Sequence, residues 1–328
     1  MHQVDPAIEA LSKSILSYAM DRLRMDPPTI DHPLPQTALE ELAGQTITET
    51  GLGGKEALQL FIETLAPACI SEDHPRYLAF VPTAPSEVST LFDLVVGASN
   101  ICASSWLEGA GAIYAENQAL RWIADIAGLP AEAGGVFVSG GTAGNLSALV
   151  AARHDWRQRS PENARQRGLI ISSRGAHASV DQAAQVMDAD LIQSGGHQLT
   201  GADVISTIAD LNAADRSRLF AVACTAGTTN LGVIDDMQGI SDVCNKESVW
   251  FHVDGAYGGA ALAAPNPLPT ASQVVLLQLK QSTPCETWES ERRDLLACCG
   301  PLWADEAPQT EKMKTMSAET AGEPEDEQ

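Results

Sequence analysis

The chain has few basic residues, which limits the partners it can bind. Lys and Arg total 20 against 43 Asp and Glu, giving a formal net charge of -23. Such an excess of negative charge repels nucleic acid phosphates and anionic lipid headgroups. Backbone amides can still hold a small phosphate locally. We therefore expect neither nucleic acid nor a membrane among its partners.

Paired cysteines and long apolar runs are also missing. The seven cysteines form no Cys-x-x-Cys pair, and their odd number suits neither a disulfide framework nor a zinc site. No apolar run approaches the roughly 20 residues that span a bilayer, and the N-terminus lacks the basic-then-apolar order of a signal peptide. We expect reduced thiols, no metal and a cytoplasmic location.

Short β-rich runs alternate with longer helical runs after Gly134, which predicts βαβ units and a mainly parallel sheet. Ligands of such a sheet lie beyond the carboxyl ends of its strands. An amphipathic helix is predicted over residues 5–24, and a second helical segment after Gly54 leads to an extended loop at 74–83. The runs of the α/β part are 136–139, 146–159, 169–172, 180–187, 219–225, 240–245 and 249–254.

Composition divides the chain into three parts. Residues 1–84 form an N-terminal helical arm with a loop, and residues 85–265 form the α/β domain. After Pro265, only Gly300 and Gly322 remain of the glycines, and histidine and phenylalanine are absent. We expect an atypical, largely disordered tail over 266–328, and we interpret its abrupt start as a frameshifted or misjoined reading frame.

Ser139-Gly140-Gly141-Thr142-Ala143-Gly144-Asn145 lies between a predicted strand and a predicted helix. Its backbone amides would point outward at the helix N-terminus, where an anion can bind. The turn does not read Gly-x-Gly-x-x-Gly, which disfavours a dinucleotide. The alternative is a glycine turn in which Thr142 caps the helix.

Three further positions at strand ends could carry chemistry. Asp254 closes a strand and is followed by Ala256, so its carboxylate could face a pyridine nitrogen while a methyl group supports the ring. His177 lies where a strand gives way to a helix and could stack on a flat cofactor, whereas Thr229 could bond a ring substituent. The structural alternatives are a helix cap or ion pair for Asp254, backbone bonds for His177 and a shaped turn at Thr228 and Thr229. Asp235-Asp236 is predicted to cap the next helix.

These motifs occur together in an order that resembles the pyridoxal phosphate-dependent group II decarboxylases, which include the aromatic amino acid, glutamate and tyrosine decarboxylases. The resemblance covers about residues 74–265. It implies the large domain of a fold-type I pyridoxal phosphate-dependent transferase, similar to aspartate aminotransferase, with pyridoxal 5'-phosphate as cofactor. It also implies an amino acid substrate and a homodimer. The matching blocks are 82–83, 134–153, 176–180, 226–236 and 252–259.

The family's site residues can be carried over only by this resemblance. The phosphate contacts fall on Gly141 and Thr142, the ring-stacking histidine on His177 and the threonine beside the cofactor on Thr229. Asp254 corresponds to the partner of the pyridine nitrogen, and Ala256 to the ring support. Thr83 lies at the substrate end, beside a wall formed by Phe80 and Val81. One aromatic residue in that wall does not indicate an aromatic substrate.

The family's Asp-x-His-Lys-Trp block, whose lysine holds the cofactor covalently, has no counterpart in this sequence. Lys280 lacks the preceding histidine and the following tryptophan. We expect the C-terminal small domain to be missing too. The resemblance implies decarboxylation of an L-amino acid to an amine and CO2, impaired here by the absent lysine. The alternatives are a non-catalytic remnant that binds cofactor or pairs with a partner, and another fold-type I reaction such as aldol cleavage or transamination.

Overall fold

A computed structural model describes residues 6–30, 32–80, 83–159 and 161–263. The chain divides into two units, Met1–Cys102 and Ala103–Gln328. The tail predicted over 266–328 and the candidate Lys280 lie outside the described residues, as does Val81. None of the described helices is long and apolar enough to cross a membrane.

The first unit is helical, and its helices are poorly buried. The predicted N-terminal helix is present as α1, and the segment after Gly53 forms α3, which continues into one π-helical turn at Phe61–Leu65. No residue of these helices, or of α2 and α4, is fully buried. The four helices are α1 (Pro6–Leu23), α2 (Gln36–Ala43), α3 (Gly54–Leu60) and α4 (Glu87–Ser99).

The second unit contains a four-stranded parallel sheet in the order β2-β1-β3-β4. Every residue of the two central strands, β1 and β3, is buried, because helices cover both faces of such a sheet. The strands are β1 (Leu169–Ser173), β2 (Asp190–Ser194), β3 (Leu219–Thr225) and β4 (Trp250–Asp254).

Helices connect the parallel strands, as crossovers require. Helix α7 joins β1 to β2, α8 and α9 join β2 to β3, and α10 joins β3 to β4, whereas α5 and α6 precede the sheet. These helices are α5 (Trp106–Ile126), α6 (Gly141–Arg159), α7 (Ala178–Val186), α8 (Gly201–Asp210), α9 (Ala213–Arg218) and α10 (Met237–Glu247).

Two apolar cores lie on the two faces of the sheet. Ile171 and Val222 belong to the larger core, together with residues of α5, α8 and α10. Ile170 and Phe220 belong to the other, together with residues of α6 and α7. Successive side chains of a strand point to opposite faces, so each central strand contributes to both cores. The sheet is thereby fixed against helices on both sides.

One predicted strand is wrong, and one strand was missed. Residues 136–139 form no strand in the described part of the chain, because no neighbouring strand is present there to pair with them. Instead, the Phe137 amide donates to Glu116 Oε1 over 3.3 Å. The strand Asp190–Ser194 was not predicted. It lies at the edge of the sheet and is only partly buried, so its sequence mixes polar and apolar residues.

Candidate functional site

The predicted site residues of the second unit follow the carboxyl ends of parallel strands. His177 comes after β1, Thr229 comes after β3 and Asp254 is the last residue of β4. Because these strands run in the same direction, their carboxyl ends share one edge of the sheet. The topology therefore brings together segments that are far apart in the sequence.

The predicted anion-binding turn lies at the same edge. Gly141 is the first residue of α6, a helix of 19 residues, and Gly140 has a φ of 142° that favours glycine. The first amides of a helix have no carbonyl partner within it. A Cβ placed on Gly141 would lie 3.1 Å from the Ala256 Cβ. The predicted phosphate turn and the predicted ring support are therefore in contact.

Asp254 is a buried carboxylate held from two sides. Asp254 is only 6% exposed. Oδ2 accepts a hydrogen bond from Asn145 Nδ2 over 2.9 Å, and Oδ1 accepts one from the Ala256 amide over 3.1 Å. Burial of a charge requires such partners. The carboxylate is therefore fixed in orientation at the end of β4.

Asn145 connects Asp254 to a second hydrogen-bonded branch. Its Nδ2 also donates to Ser179 Oγ over 2.8 Å, and Ser179 Oγ lies 2.9 Å from His177 Nδ1. On the other side, Asn145 Oδ1 lies 2.9 Å from His252 Nε2. We call these five residues, His177, Ser179, Asn145, Asp254 and His252, the polar chain. It joins α6, α7 and β4.

His252 is buried and neutral. Burial lowers its pKa to about 4, although the negative charge of Asp254 acts in the opposite direction. Because Asn145 Oδ1 can only accept, His252 Nε2 carries the hydrogen of that bond. Its Nδ1 is then a buried acceptor without a partner among the described residues.

The loop after β3 is shaped by Thr228 and presents Thr229. Thr228 is 3% exposed, and its Oγ1 accepts from the Val233 amide over 3.1 Å, so the predicted turn-shaping role of Thr228 is confirmed. Thr229 is exposed. Gly227, with a φ of 96°, allows Tyr257 to pack against the loop, because a Cβ there would lie 2.8 Å from Tyr257 Cδ1. The blocks after β3 and β4 are thus in contact.

Three further predicted cofactor residues are exposed, and one of them, His177, also has a structural role. His177 is the N-cap of α7, since its Nδ1 accepts from the Ser179 amide over 3.2 Å, as the structural alternative for this residue predicted. His177, Thr142 and Ala256 are all exposed, so a ligand at this edge can reach them. Their assignment to individual cofactor contacts stays a prediction.

The two adjacent acids after the β3 loop have different roles. Asp236 caps α10 by accepting from the Gly239 amide, which confirms the predicted cap. Asp235 is instead 2% exposed and accepts from the Leu199 and Thr225 amides, both over 2.7 Å. It ties the start of the loop to the segment before α8.

The two predicted substrate-end residues belong to the first unit. Phe80 is 81% exposed and has a left-handed φ of 58°. Its ring lies 6.4 Å from that of Tyr77, measured between centroids. Thr83 is also exposed. Their substrate role stays a prediction.

Sequence reasoning missed Asn145, Ser179 and His252. Asn145 and Ser179 lie in the blocks around Gly141 and His177, but the sequence alone assigned neither a role. The available signal was helical spacing. Because Gly141 starts the helix, Asn145, four residues later, lies on the same helix face as Gly141. His252 lies two positions before Asp254 on the same strand, so both side chains face the same side of the sheet.

The fold and these contacts define an α/β protein that presents a buried carboxylate beside the predicted anion-binding turn. Residues 42–277 match the family model of the pyridoxal-dependent decarboxylase conserved domain. The chain belongs to this family, whose members are pyridoxal phosphate-dependent amino acid decarboxylases.

Curated relatives and solved structures agree with this assignment. The chain is 32% identical over 250 residues to an aromatic-L-amino-acid decarboxylase of Bacillus atrophaeus, covering 74% of this chain and 50% of the relative. It is 30% identical over 221 residues to an L-2,4-diaminobutyrate decarboxylase of Rhizobium meliloti, covering 66% and 44%. The chain therefore spans about half the length of the curated relatives it matches.

The glutamate decarboxylase domain of the diaminobutyrate-pyruvate transaminase and L-2,4-diaminobutyrate decarboxylase from Vibrio parahaemolyticus superposes with a TM-score of 0.71 at 25% identity. That match covers 86% of this chain and 64% of the other. Oryza sativa TDC with PLP gives a TM-score of 0.76 at 20% identity, covering 95% and 69%, and shows the fold. The fold is that of the fold-type I pyridoxal phosphate enzymes.

The site residues fit pyridoxal phosphate as the cofactor. The amides at the start of α6 suit its phosphate. The buried carboxylate of Asp254 suits a protonated ring nitrogen. The contact between Gly141 and Ala256 leaves no room for a Cβ on Gly141 without movement, so glycine keeps the approach to the turn open.

Proposed function

We propose that this chain provides the cofactor-binding part of an amino acid decarboxylase. Gly141 and Thr142 hold the phosphate of pyridoxal phosphate, His177 stacks on the ring, and Thr229 contacts a ring substituent. Ala256 would support the ring. The orientation of the buried Asp254 carboxylate, with one donor on each oxygen, is the observation that carries the proposal.

The proposed chemistry depends on the charge of Asp254. Bound pyridoxal phosphate supplies a sink for the electron pair left when CO2 departs from an amino acid. The Asp254 carboxylate holds the proton on the ring nitrogen, and it stays in place because Asn145 and the Ala256 amide bond its two oxygens. The substrate is an amino acid, and Phe80 and Thr83 contribute to its binding.

A second candidate function is cofactor binding without turnover. The observation that favours it is the position of Lys246, which is the one lysine among the described residues of the second unit. Lys246 is exposed at the C-terminus of α10, which leads into the start of β4. Asp254 is at the other end of that strand, so Lys246 lies at the opposite edge of the sheet.

The first experiment measures cofactor binding by the full chain. Pyridoxal phosphate is titrated into the wild-type protein and into Asp254→Asn, which keeps the shape of the side chain and removes its charge. A charge-assisted hydrogen bond contributes about 1.5–3 kcal/mol, so we expect the Kd to rise about 10- to 150-fold. Asp242→Asn, which changes an exposed carboxylate on α10, is the control. Equal affinity of the wild type and Asp254→Asn would reject the assigned role.

Borohydride reduction followed by peptide mass analysis separates the two candidate functions. An adduct on a lysine, together with release of CO2 from an added L-amino acid, supports a decarboxylase in which that lysine carries the cofactor. Binding without an adduct and without CO2 release supports the non-catalytic alternative. The third reaction class, aldol cleavage or transamination, is tested by assaying aldehyde and keto acid products in the same samples.

The proposed assembly is a homodimer located in the cytoplasm. Helix α4 supports the dimer, because its apolar residues Val88, Leu91, Phe92, Leu94, Val95 and Val96 are all exposed within one chain. Exposed apolar patches of this kind mark protein contacts. Light scattering should give twice the mass of the chain, and Phe92→Asp should shift the distribution toward monomer. A monomeric wild type would contradict the proposal.

A further inference from the structure

We propose that Asn145 is a positioning residue that couples the two predicted cofactor contacts, Asp254 and His177, through the polar chain. This inference rests on the proposed function, because it assigns the role of Asn145 to the same site. Asn145 is 4% exposed and lies on α6, the helix whose N-terminus forms the anion-binding turn.

The hydrogen-bond partners of the Asn145 amide fix its orientation. Its Nδ2 has two hydrogens and faces two acceptors, Asp254 Oδ2 and Ser179 Oγ. Its Oδ1 faces the Nε2 of His252. A flipped amide would set its oxygen against an oxygen of the Asp254 carboxyl group. The contact with Asp254 Oδ2 therefore selects one orientation of Asn145, and this orientation places an acceptor, Oδ1, opposite His252 Nε2.

Hydrogen bonds continue from Asn145 through Ser179 to His177. Ser179 Oγ accepts from Asn145, which leaves the single hydroxyl hydrogen of Ser179 available to His177 Nδ1 at 2.9 Å. The Ser179 amide donates to the same nitrogen over 3.2 Å. Nδ1 therefore acts as an acceptor, and a ring hydrogen lies on Nε2.

Asn145 affects two predicted contacts of a bound cofactor. It holds the carboxylate assigned to the ring nitrogen, and it bonds the Ser179 hydroxyl that adds a second donor to Nδ1 of the imidazole assigned to stack on the ring. One buried amide thus orients both groups, although it touches neither the phosphate nor the ring in this assignment. Loss of Asn145 should affect cofactor affinity and the hydroxyl hydrogen bond to His177 Nδ1 together.

The test compares Asn145→Ala and Asn145→Asp in the full chain, with two readouts. The first is the Kd for pyridoxal phosphate, which we expect to rise about 10- to 100-fold in Asn145→Ala, because a hydrogen bond to a charged group is lost. The second is the nitrogen NMR spectrum of histidine-labelled protein without cofactor, in which wild-type His177 should show an unprotonated Nδ1. Asn163→Ala is the control, since the Asn163 amide bonds the Trp156 carbonyl near the other end of α6.

The Asp variant keeps the inference testable if the Ala variant does not fold. Asn145→Asp is isosteric and places a second carboxylate beside Asp254, so one of the two must hold a proton. We expect weaker pyridoxal phosphate binding by at least about 10-fold. Unchanged Kd and an unchanged His177 spectrum in a folded variant would overturn the role of Asn145, as would lower thermal stability with unchanged Kd.

The two readouts separate failure of this inference from failure of the proposed function. A wild-type protein that does not bind pyridoxal phosphate contradicts the proposed function. The NMR readout would still test whether the hydrogen bonds of the polar chain reach His177. A wild-type His177 that is protonated at Nδ1 overturns the inference, even where the cofactor binds. Ser179→Ala provides the matched perturbation, because it should shift the His177 Nδ1 resonance by removing the hydroxyl donor, while the bonds from the residue 179 amide to Nδ1 and from Asn145 to Asp254 remain.

Discussion

Asp235 should make the folding stability of the protein depend on pH in a direction opposite to that of most acids. Burial raises its pKa to about 6, which outweighs the two backbone hydrogen bonds from Leu199 and Thr225 that favour the charged form. The carboxyl therefore keeps its proton in the folded state at pH values where the unfolded chain has released it.

The size and sign of the effect follow from the two pKa values. Between the ordinary value of 3.8 and about 6, the folded state binds more protons than the unfolded state. The stabilising contribution of Asp235 is complete below the lower value and is lost as pH rises through the higher one. Between about pH 5 and about pH 7.5, the loss amounts to about 1.4 kcal/mol.

Urea unfolding of the wild type and of Asp235→Asn at these two pH values tests this prediction. Because the variant cannot titrate at this position, the wild type should lose about 1.4 kcal/mol relative to it as pH rises. Cys244→Ala is a suitable control, since burial raises the pKa of that thiol further above the tested range. The argument would be refuted if the free energy of unfolding of the wild type, minus that of Asp235→Asn, stayed constant or rose with pH.

Three further outcomes are expected. Gly227→Ala should destabilise the fold by about 1–3 kcal/mol in urea unfolding, because φ is 96° and the new Cβ would lie 2.8 Å from Tyr257 Cδ1; Gly232→Ala, where the nearest atom is 3.7 Å away, should cost less. The His252 ring should titrate in NMR near pH 4, and its neutral burial should stabilise the protein fully above about pH 6.5 and progressively less as pH falls toward 4; titration near 6.5 would contradict this. Leu149→Ala, at a fully buried position, should cost about 2–5 kcal/mol in the same unfolding assay, and a cost below 1 kcal/mol would argue against its place in the core.

The buried central strands were predictable from sequence because their apolar runs are continuous. The strand predicted at 219–225 coincides with β3, and the one at 169–172 lacks a single residue of β1. The edge strand β2 and the helices α8 and α9 were missed, because their residues are partly exposed and their apolar pattern is interrupted. Helix α8 did carry a local signal, the capping box of Thr200 and Asp203.

The strand predicted at 136–139 shows the opposite error. Its local sequence favours an extended chain, but a strand also requires a neighbour for its backbone groups. Pairing is a tertiary property, and no window of sequence contains it.

The sequence could predict only those residues of the candidate site that lie at the ends of strands. The approximate place of Asp254, His177 and Thr229 follows from the parallel topology alone. The contacts among them depend on Asn145, which is 109 positions before Asp254 in the chain. Spacing along the sequence gives no measure of such a contact, so the polar chain became visible only in three dimensions.

The polar chain contributes to the stability of the fold as well as to the candidate site. Its bonds fasten two helices to β4, so each of its buried members contributes to tertiary structure whether or not a cofactor is ever bound. A descendant that gave up catalysis would still be under selection to keep Asn145, Ser179 and His252, because removing one would leave the others as unsatisfied buried groups. Among relatives of this chain, retention of these residues is therefore a record of folding as well as of chemistry.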